Sequence, residues 1–350
     1  MTTIKKNSCK TIVRPMRTTF ATARGSKTCA TSIIVHVECD DGSTGVGEVP
    51  TSFVVPQETT EVIIRHIRRA AKWLPGENID QWAALTARLE SVIPDYHMTC
   101  SGIETALFRA YLASTGSDEK TWWGQGTAKT VTTDITIPFA ADIESIRPWI
   151  ERALRRGFDT YKIKVSGDVK PDTAFIRSVT EILSESERPY TIRLDGNQGF
   201  IYNTAMRLLE RLKVPIELFE QPLKHDDYKG MEKLTAKAPV PIIADETVFT
   251  ADDCRRVINN NLAHGINIKI AKSGITQSQQ IIELAKKAKL KLMIGCMTET
   301  MVGLSAAIYC AAGTGAFDYI DLDSVHFLYA QNRYRDITID GARYHLGDQR

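Results

Sequence analysis

The sequence contains TIRLDGNQ at residues 191–198, IELFEQP at 216–222, PIIADE at 241–246 and GINIK at 265–269. In each stretch a short run rich in apolar residues meets a charged side chain, and these side chains are Asp195, Glu220, Asp245 and Lys269. They follow one another at intervals of 24 or 25 residues (195, 220, 245 and 269), about the length of one strand, one helix and their loops. This repeat predicts a parallel sheet whose strands all bring their last residues to the same edge.

The repeat extends on both sides of this segment. Short β-rich runs alternate with helix-length amphipathic segments, and the runs are 133–137, 161–165, 191–194, 216–219, 241–244, 265–270, 291–295 and 317–322. Eight βα units predict a (β/α)8 barrel of the TIM type, in which catalytic residues lie at the C-terminal ends of the strands. We therefore expect a catalytic barrel domain at 119–325.

The first third of the chain has a different pattern. Thr31–Glu38 and Gly45–Val49 are predicted strands joined by an Asp-Gly turn, and helices are predicted near 58–73, 80–91 and 101–114. Residues 1–118 are therefore predicted to form an α+β capping domain, with loop composition at 116–126 marking the boundary. The segment 326–350 holds no further βα unit, and we expect it to return to the capping domain. The expected fold class is α/β, a modified TIM barrel with an N-terminal α+β cap.

Composition excludes several classes of partner. A net charge of +2, from 44 basic and 42 acidic residues, gives no broad field for nucleic acid or anionic lipid. Seven scattered cysteines without a CxxC motif fit a reducing compartment, so we expect a cytoplasmic protein. Because the N-terminus is polar and basic, we expect neither a signal peptide nor an anchor, and the uncharged stretch Thr300–Phe317 is expected to be a buried helix. The expected partner is a small molecule, and the expected state is a homo-oligomer.

Three acids at one barrel mouth imply a cation. Asp195, Glu220 and Asp245 would repel one another strongly unless a positive charge lay among them. All three are hard oxygen ligands without His or Cys, which favours Mg²⁺, with Mn²⁺ as the alternative. Taken singly, each acid is equally well explained as a solvated residue at the start of a loop.

Three lysines point to proton transfer. Lys162 and Lys164 are two residues apart on one predicted strand, so both face the same side of the sheet. Their mutual repulsion, with a metal nearby, lowers the pKa of one of them, as a general base near neutral pH requires. Lys269 comes from the sixth strand, across the barrel from the second, and would present an amine to the opposite face of a ligand. Such an arrangement suits inversion by two bases.

A second pair of acids follows the same spacing. Asp321 and Asp323 are two residues apart at the end of the eighth predicted strand. They are candidates for binding a cationic group of a ligand. The alternative is that they cap a helix or are simply solvated.

Together these segments resemble the enolase superfamily, specifically its muconate-lactonizing-enzyme subgroup. The segments that carry the resemblance are KIK at 162–164, LDGN at 194–197, FEQP at 219–222, ADE at 244–246 and IKIAKSG at 268–274. The resemblance covers nearly the whole chain. It implies a capped barrel, a divalent metal and a lysine base that removes a proton from the carbon next to a carboxylate.

Two further segments resemble the dipeptide epimerases of that subgroup. DLD at 321–323 is similar to the Asp-x-Asp element that binds the α-ammonium of the substrate, and FATARGS at 20–26 is similar to a mobile capping loop. The resemblance implies that Arg24 pairs with a glutamate side chain, and Thr298 falls in the region that selects the substrate side chain. It also implies that Lys162 holds a carboxylate oxygen of the substrate.

The expected activity is Mg²⁺-dependent epimerisation at the second residue of an L-Ala-L-Xaa dipeptide, with L-Ala-D/L-Glu first. A role in peptidoglycan recycling would follow from that substrate. Alternatives are a cationic or hydrophobic second residue, or an o-succinylbenzoate synthase or cycloisomerase, whose substrates carry no ammonium for Asp321 and Asp323. A Schiff-base aldolase using Lys164 or Lys269, and a barrel retained only for binding, are the more distant alternatives.

Overall fold

The computed structural model describes residues 1–124, 126, 128–329 and 333–347. Its N-terminal part is an antiparallel three-stranded sheet covered by helices. In chain order the elements are β1 Ile4–Thr22, β2 Gly25–Cys39, β3 Thr44–Pro50, α1 Thr60–Ala70, a 3₁₀ turn Ile79–Gln81, α2 Trp82–Val92, α3 His97–Thr115 and α4 Glu119–Trp123. The predicted strands and helices of this region are present, but the long strand β1 was not predicted.

Helix α3 lies directly on strand β3. A Cβ atom at Gly45 would stand 1.9 Å from the carbonyl oxygen of Ala106, and one at Gly47 would stand 1.9 Å from that of Gly102. Only glycine therefore allows the helix backbone to approach the strand this closely. The close approach packs the helix firmly onto the sheet, next to the barrel.

From β5 to β12 the chain forms an eight-stranded parallel sheet surrounded by helices, so the predicted fold class is confirmed. A short strand, β4 Thr130–Thr132, precedes it. The barrel strands are β5 Ile135–Ile137, β6 Thr160–Lys164, β7 Thr191–Asp195, β8 Leu218–Glu220, β9 Ile242–Ala244, β10 Gly265–Lys269, β11 Lys291–Gly295 and β12 Tyr319–Asp321. The helices between them are α5 Ile143–Arg155, α6 Val169–Ser184, α7 Tyr202–Arg211, α8 Tyr228–Lys237, α9 Ala251–Asn259, α10 Ile270–Lys287 and α11 Met301–Thr314.

Strand register brings the charged strand ends to one level. Lys164 lies opposite Asp195 in the pairing of β6 with β7, and Asp195 lies opposite Glu220 in the pairing of β7 with β8. Because parallel neighbours are in step, their terminal side chains meet at the same rim. The sequence repeat therefore gives a spatial cluster.

The barrel has a seam between its first and last strands. Among the described residues β5 and β12 form no strand ladder, and the backbone N–H of Asp134 donates to the carbonyl of Ile320 at 3.3 Å. Side chains complete the closure: the N–H of Leu322 donates to Thr133 Oγ1 at 2.7 Å, and the N–H of Thr136 donates to Asp323 Oδ2 at 2.6 Å. The seam therefore consists largely of polar side chains.

Buried polar contacts join the capping domain to the barrel. Glu104 of α3 accepts hydrogen bonds from the N–H groups of Ile275 and Thr276, both at 2.9 Å, just after α10 kinks at Gly274. Arg109 of the same helix donates to the carbonyl of Val302 at 2.6 Å. Buried charged side chains thus join the two parts: Glu104 satisfies N–H groups that follow the kink in α10, and Arg109 contacts the backbone of α11.

The C-terminal segment follows a course of its own. After α12 Ser324–Phe327, strands β13 Arg333–Tyr334, β14 Ile337–Asp340 and β15 Arg343–Leu346 form a sheet in which β15 pairs with β4. The segment touches the capping sheet where Leu328 bridges to Met16 of β1. Its main partner is therefore the strand that leads into the barrel.

The uncharged stretch predicted as a buried helix forms α11, and nearly all of its residues are buried. Among the described residues, no helix combines the length and the apolar character needed to span a bilayer.

Candidate active site

A cavity lies between the barrel mouth and the capping domain. The predicted site residues that line it are Lys162, Lys164, Lys269, Thr298, Asp321 and Asp323. The capping domain contributes the opposite wall, which consists of Phe20, Thr22, Lys27, Ser52, Phe53 and Val54. The cavity is therefore enclosed by the ends of barrel strands that are far apart in sequence and, on the other side, by residues of the capping domain.

The three predicted metal ligands lie below this cavity and are buried. Asp195, Glu220 and Asp245 are at most 1% exposed. Lys164 forms a very short ion pair with Asp195, and Lys269 Nζ lies 2.7 Å from Asp245 Oδ2. The ammonium groups supply the positive charge that three buried carboxylates require.

Lys162 is at the centre of the charged cluster. Its Nζ lies 3.3 Å from Glu220 Oε2 and 3.6 Å from Asp195 Oδ2, and it forms a very short ion pair with Asp321. Burial alone would lower the pKa of Lys162, but Asp321, Glu220 and Asp195 outweigh it and raise that pKa well above its ordinary value. Lys162 is therefore a fixed positive charge between the two groups of acids.

The same balance acts on the other members of the cluster. Burial, with Asp195 adding to it, raises the pKa of Glu220 to about 7. Burial opposes ionisation of Asp245 as well, but the positive charges of Lys269 and Lys272 outweigh it and hold the pKa of that carboxyl well below its usual range. Burial likewise favours neutral Lys269, yet Asp245 and Glu220 raise its pKa. In this arrangement Lys269 is held as an ammonium ion.

Two further residues fix the acids from below. Lys272 is fully buried, and its Nζ donates to Asp245 Oδ1 at 2.8 Å and to the Asp245 carbonyl at 2.6 Å. Asn267 Nδ2 donates to Glu220 Oε1 at 2.6 Å. Sequence reasoning gave neither residue a role. The signal was present in GINIKIAK, where polar residues alternate along β10 and a second lysine follows one helical turn after Lys269.

Asp134 is a site residue that the sequence did not reveal. One carboxylate oxygen from each of Asp134, Asp321 and Asp323 lies within 4.8 Å of the other two, at the barrel seam. Arg193 donates to Asp134 Oδ2 at 2.8 Å. Burial and the neighbouring Asp321 raise the pKa of Asp134 well above its usual value.

Two clusters of three acids are candidates for holding a divalent cation, and they differ in how well they fit one. They are Asp134, Asp321 and Asp323 at the seam, and Asp195, Glu220 and Asp245 at the ends of neighbouring strands. Arg193 is held by Glu217 at 2.6 Å and by the Ile320 carbonyl at 3.0 Å, so the charge beside Asp134 cannot move away. In the described structure Asp195, Glu220 and Asp245 do not come within that 4.8 Å, but the ammonium groups of Lys164 and Lys269, which pair with Asp195 and Asp245, end long side chains at the cavity wall and can be displaced. An all-oxygen donor set with displaceable partners fits Mg²⁺.

The acids predicted to bind an ammonium line the cavity from the barrel side. Asp323 accepts from the Thr136 N–H, and Cys296 Sγ donates to its other oxygen at 3.8 Å. Burial raises the pKa of Asp323 to about 6, with Asp321 adding to it. Asp321 has the opposite balance, because Lys162 outweighs burial and lowers its pKa.

Arg24 lies away from these residues. It is exposed at the turn between β1 and β2 and lines a neighbouring cavity with Val54 and His225. Its predicted contact with a glutamate side chain stays a prediction. Lys27, on the same hairpin, is the cationic residue of the capping domain that lines the central cavity.

A barrel mouth that gathers buried carboxylates and lysines from different strands, under an N-terminal cap, has the residue types of an acid–base enzyme. The chain belongs to the enolase C-terminal domain-like family, whose sequence profile matches residues 146–349.

Its relatives narrow the class further. The chain is 31% identical to the aromatic dipeptide epimerase of Herpetosiphon aurantiacus, over 93% of this chain and 91% of that protein. It is 30% identical to the L-Ala-D/L-Glu epimerase of Bacillus subtilis, over 95% of this chain and 91% of that protein. The predicted resemblance to dipeptide epimerases and the assignment to the isomerases are confirmed.

Solved structures of dipeptide epimerases are also similar to this chain. A substrate-liganded L-Ala-D/L-Glu epimerase from Bacillus subtilis superposes with a TM-score of 0.91 at 28% identity, covering 99% of this chain and 96% of that one. A dipeptide epimerase from Enterococcus faecalis, complexed with Mg and L-Leu-L-Tyr, gives a TM-score of 0.89 at 26% identity, covering 99% and 98%.

Proposed function

We propose that this protein is a metal-dependent dipeptide epimerase that removes and returns the α-proton of the second residue of an L-Ala-L-Xaa dipeptide. One observation carries the proposal: Lys164 on β6 and Lys269 on β10 line the same cavity from different strands, and Asp321 and Asp323 line it too. Two amines that approach one carbon from opposite faces can exchange the roles of acid and base.

The acidic pair would bind the free amino group of the dipeptide. Asp321 and Asp323 are buried, so an ammonium ion that enters the cavity meets charges poorly screened by water. An ammonium between them would also relieve their mutual repulsion. This charge requirement separates a dipeptide from the substrates of an o-succinylbenzoate synthase or cycloisomerase, which carry no such group.

Asp195, Glu220 and Asp245 would hold Mg²⁺, with Mn²⁺ as the alternative. When bound, the metal would draw electron density from the substrate carboxylate and so acidify the α-proton. Lys162 would hold a carboxylate oxygen, since its ammonium is fixed between Glu220 and Asp321. Lys164 and Lys269 would then be the two proton carriers.

The nature of the second residue follows from the wall of the cavity. L-Ala-L-Glu is our first candidate. Arg24 is the predicted partner of its glutamate side chain, and Thr298, which lines the central cavity, is predicted to help select that side chain. A hydrophobic second residue is the other candidate. The observation that favours it is the number of apolar side chains in the lining, namely Phe20, Phe53, Val54, Met297 and Phe327.

The cellular setting is also proposed. All seven cysteines are free, which fits a reducing cytoplasm. If L-Ala-L-Glu is the substrate, the reaction belongs to peptidoglycan recycling. We further propose a homo-oligomer and a division of the chain at residues 118 and 119. The proposed assignment of 326–350 to the capping domain is supported by the bridge from Leu328 to Met16, although β15 of this segment pairs with β4.

Incubation with dipeptides in D₂O tests the activity directly. L-Ala-L-Glu and L-Ala-L-Phe should each be followed with Mg²⁺ for a mass gain of one unit at the α-carbon and for the appearance of the D-epimer. Epimer formation with deuterium uptake is the expected result for at least one of them. If a library of L-Ala-L-Xaa dipeptides gave neither deuterium uptake nor epimer, the proposal would be overturned.

A further inference from the structure

Lys27 differs from every other lysine of the cavity. It projects from β2, opposite Phe20 in the pairing of β1 with β2, and lines the central cavity from the capping side. Its Nζ donates to the Thr51 carbonyl at 3.3 Å and lies 5.7 Å from the centroid of the Phe53 ring. Among the residues that the structure describes, no carboxylate forms an ion pair with it.

The barrel lysines show what this difference means. Lys162, Lys164 and Lys269 each line the cavity, and each forms an ion pair with a buried carboxylate. A desolvated ammonium with one carbonyl contact and no countercharge is unfavourable. Burial accordingly lowers the pKa of Lys27 to about 8. At neutral pH the group is still largely protonated, so the cavity contains a positive charge that has no carboxylate partner among the described residues.

We propose that Lys27 binds the side-chain carboxylate of an acidic second residue of the dipeptide, and that it thereby determines substrate specificity. This inference rests on the function proposed above and names its substrate class. The α-carboxylate and the amino group already have partners on the barrel side, in the metal-ligand cluster and in Asp321 and Asp323. A third charged group of the substrate, directed towards the capping domain, would meet Lys27.

The surroundings of Lys27 favour a carboxylate at the end of an alkyl chain. Phe20 and Phe53 line the cavity beside it and exclude water, which strengthens an ion pair formed there. The apolar stem of a glutamate side chain would pack against these rings, and its carboxylate would reach the ammonium. Arg24, by contrast, is exposed and lines the neighbouring cavity.

The test compares isosteric substrates in matched variants. We expect the wild-type protein to turn over L-Ala-L-Glu with a higher kcat/KM than L-Ala-L-Gln, which has the same shape without the charge. Lys27→Met keeps the stem and removes the ammonium, so kcat/KM for L-Ala-L-Glu should fall by about 10- to 100-fold, as for loss of a charge-assisted hydrogen bond. The value for L-Ala-L-Gln should stay within about 3-fold, because that side chain carries no charge to lose. Lys27→Arg should retain most of the preference.

A second lysine and a second variant serve as controls. Lys10→Met removes an exposed lysine from β1, outside the cavity, and should leave the ratio of the two substrates unchanged. If Lys27→Met does not fold, Lys27→Gln provides the same loss of charge with a polar stem. A purely structural role of Lys27 would reduce the rates with both substrates together, so the ratio separates the two roles.

Each outcome decides between the proposals. Equal turnover of L-Ala-L-Glu and L-Ala-L-Gln by the wild type, or an unchanged ratio in Lys27→Met, would overturn the role of Lys27 and leave the epimerase proposal standing. An unchanged ratio in Lys27→Met together with a lost preference in Arg24→Met would assign recognition to Arg24 instead. If no dipeptide exchanged deuterium, both proposals would fail.

Discussion

At the scale of single residues, the site depends on how buried charges are shared. Lys162 stands between two groups of acids and contacts Glu220 on one side and Asp321 on the other. Because each group alone would be strongly repulsive, the lysine lowers the free energy of both. The proposed metal-binding acids and the proposed ammonium-binding pair are therefore electrostatically linked through Lys162, and a change at Lys162 is expected to disturb both.

The two proposed proton carriers can be distinguished by exchange from each epimer. Lys164→Ala and Lys269→Ala should each reduce epimerisation by about 100- to 10,000-fold, the usual contribution of a general acid or base. Each variant should still exchange the α-proton of the one epimer whose face the remaining lysine reaches. Mass spectrometry of L,L and L,D dipeptides in D₂O measures this. Lys170→Ala, an exposed lysine, is the control. Exchange of both epimers at wild-type rates in either variant would contradict the assignment.

The pKa of Asp323 gives a pH dependence. Burial and Asp321 raise this pKa to about 6, while Lys162 and hydrogen bonding to Thr136 oppose the rise. As the pH falls through that value the carboxylate is protonated and loses its attraction for the substrate ammonium. We therefore expect kcat/KM to fall about tenfold per pH unit below pH 6, mainly through KM.

Asp323→Asn is the matched variant for this effect. It cannot ionise, so its kcat/KM should be low and should lack the inflection near pH 6. A wild-type profile that stayed flat from pH 5 to pH 7 would contradict the role of Asp323 in binding the ammonium. The inflection should also move to lower pH in kcat, because bound ammonium stabilises the ionised carboxylate.

Residues on the strand repeat could be predicted from the sequence, and residues placed by closure of the fold could not. Asp195, Glu220, Asp245 and Lys269 follow one period, and the parallel register carries that period into space. Asp134 precedes its strand and reaches the site only because the barrel seam brings it to Asp321. Lys27 depends on a hairpin whose first strand was not predicted, so its position opposite Phe20 had no sequence signal.

At the scale of secondary-structure elements, buried glutamates satisfy helix N-termini. Glu58 accepts from Met98 and Thr99 at the start of α3, and Glu48 accepts from Thr300 and Gly303 at the start of α11. A carboxylate at this end of a helix accepts hydrogen bonds from N–H groups that have no partner within the helix, and its negative charge complements the helix dipole. Strand β1 could not be predicted from the sequence. Much of its length is exposed and polar, and it shows little of the alternation that marks a half-buried strand.

Glu104, like Glu48, is a contact of this kind between the capping domain and the barrel. It accepts from the N–H groups of Ile275 and Thr276 and from the Thr276 hydroxyl. Glu104→Ala would leave these donors unsatisfied, so the free energy of unfolding should fall by about 2–4 kcal/mol. Urea denaturation measures the change. Glu181→Ala, on an exposed face of α6, is the control and should change it by less than about 0.5 kcal/mol. Equal effects of the two substitutions would contradict the assigned role of Glu104.

At the scale of the whole molecule, the site exists only where two domains meet. The barrel contributes the acids and the two lysines proposed as proton carriers, and the capping domain contributes Phe20, Lys27 and Phe53. The residues proposed for the chemistry and those proposed to select the side chain therefore come from different parts of the chain. This separation explains how the reacting residues could be predicted from one repeat, whereas the choice of substrate depends on packing between domains.

The proposed metal site predicts a change in the stability of the whole fold. A ligand that binds only the native state adds about 2.7 kcal/mol at a concentration 100 times its Kd, so Mg²⁺ should raise the Tm and a chelator should abolish deuterium exchange. Calorimetric titration with Mg²⁺ measures binding without relying on activity.

Glu220→Gln keeps the shape and removes one charge, so this variant should bind Mg²⁺ weakly and show little rise in Tm. Asp252→Asn, an exposed acid on α9, should behave as the wild type. Because burial raises the pKa of Glu220 to about 7 and a metal-binding carboxyl must be ionised, Mg²⁺ binding near neutral pH should also release protons, and fewer of them at higher pH. A wild-type protein whose Tm and calorimetric signal were indifferent to Mg²⁺ would contradict the assignment of Asp195, Glu220 and Asp245 as metal ligands.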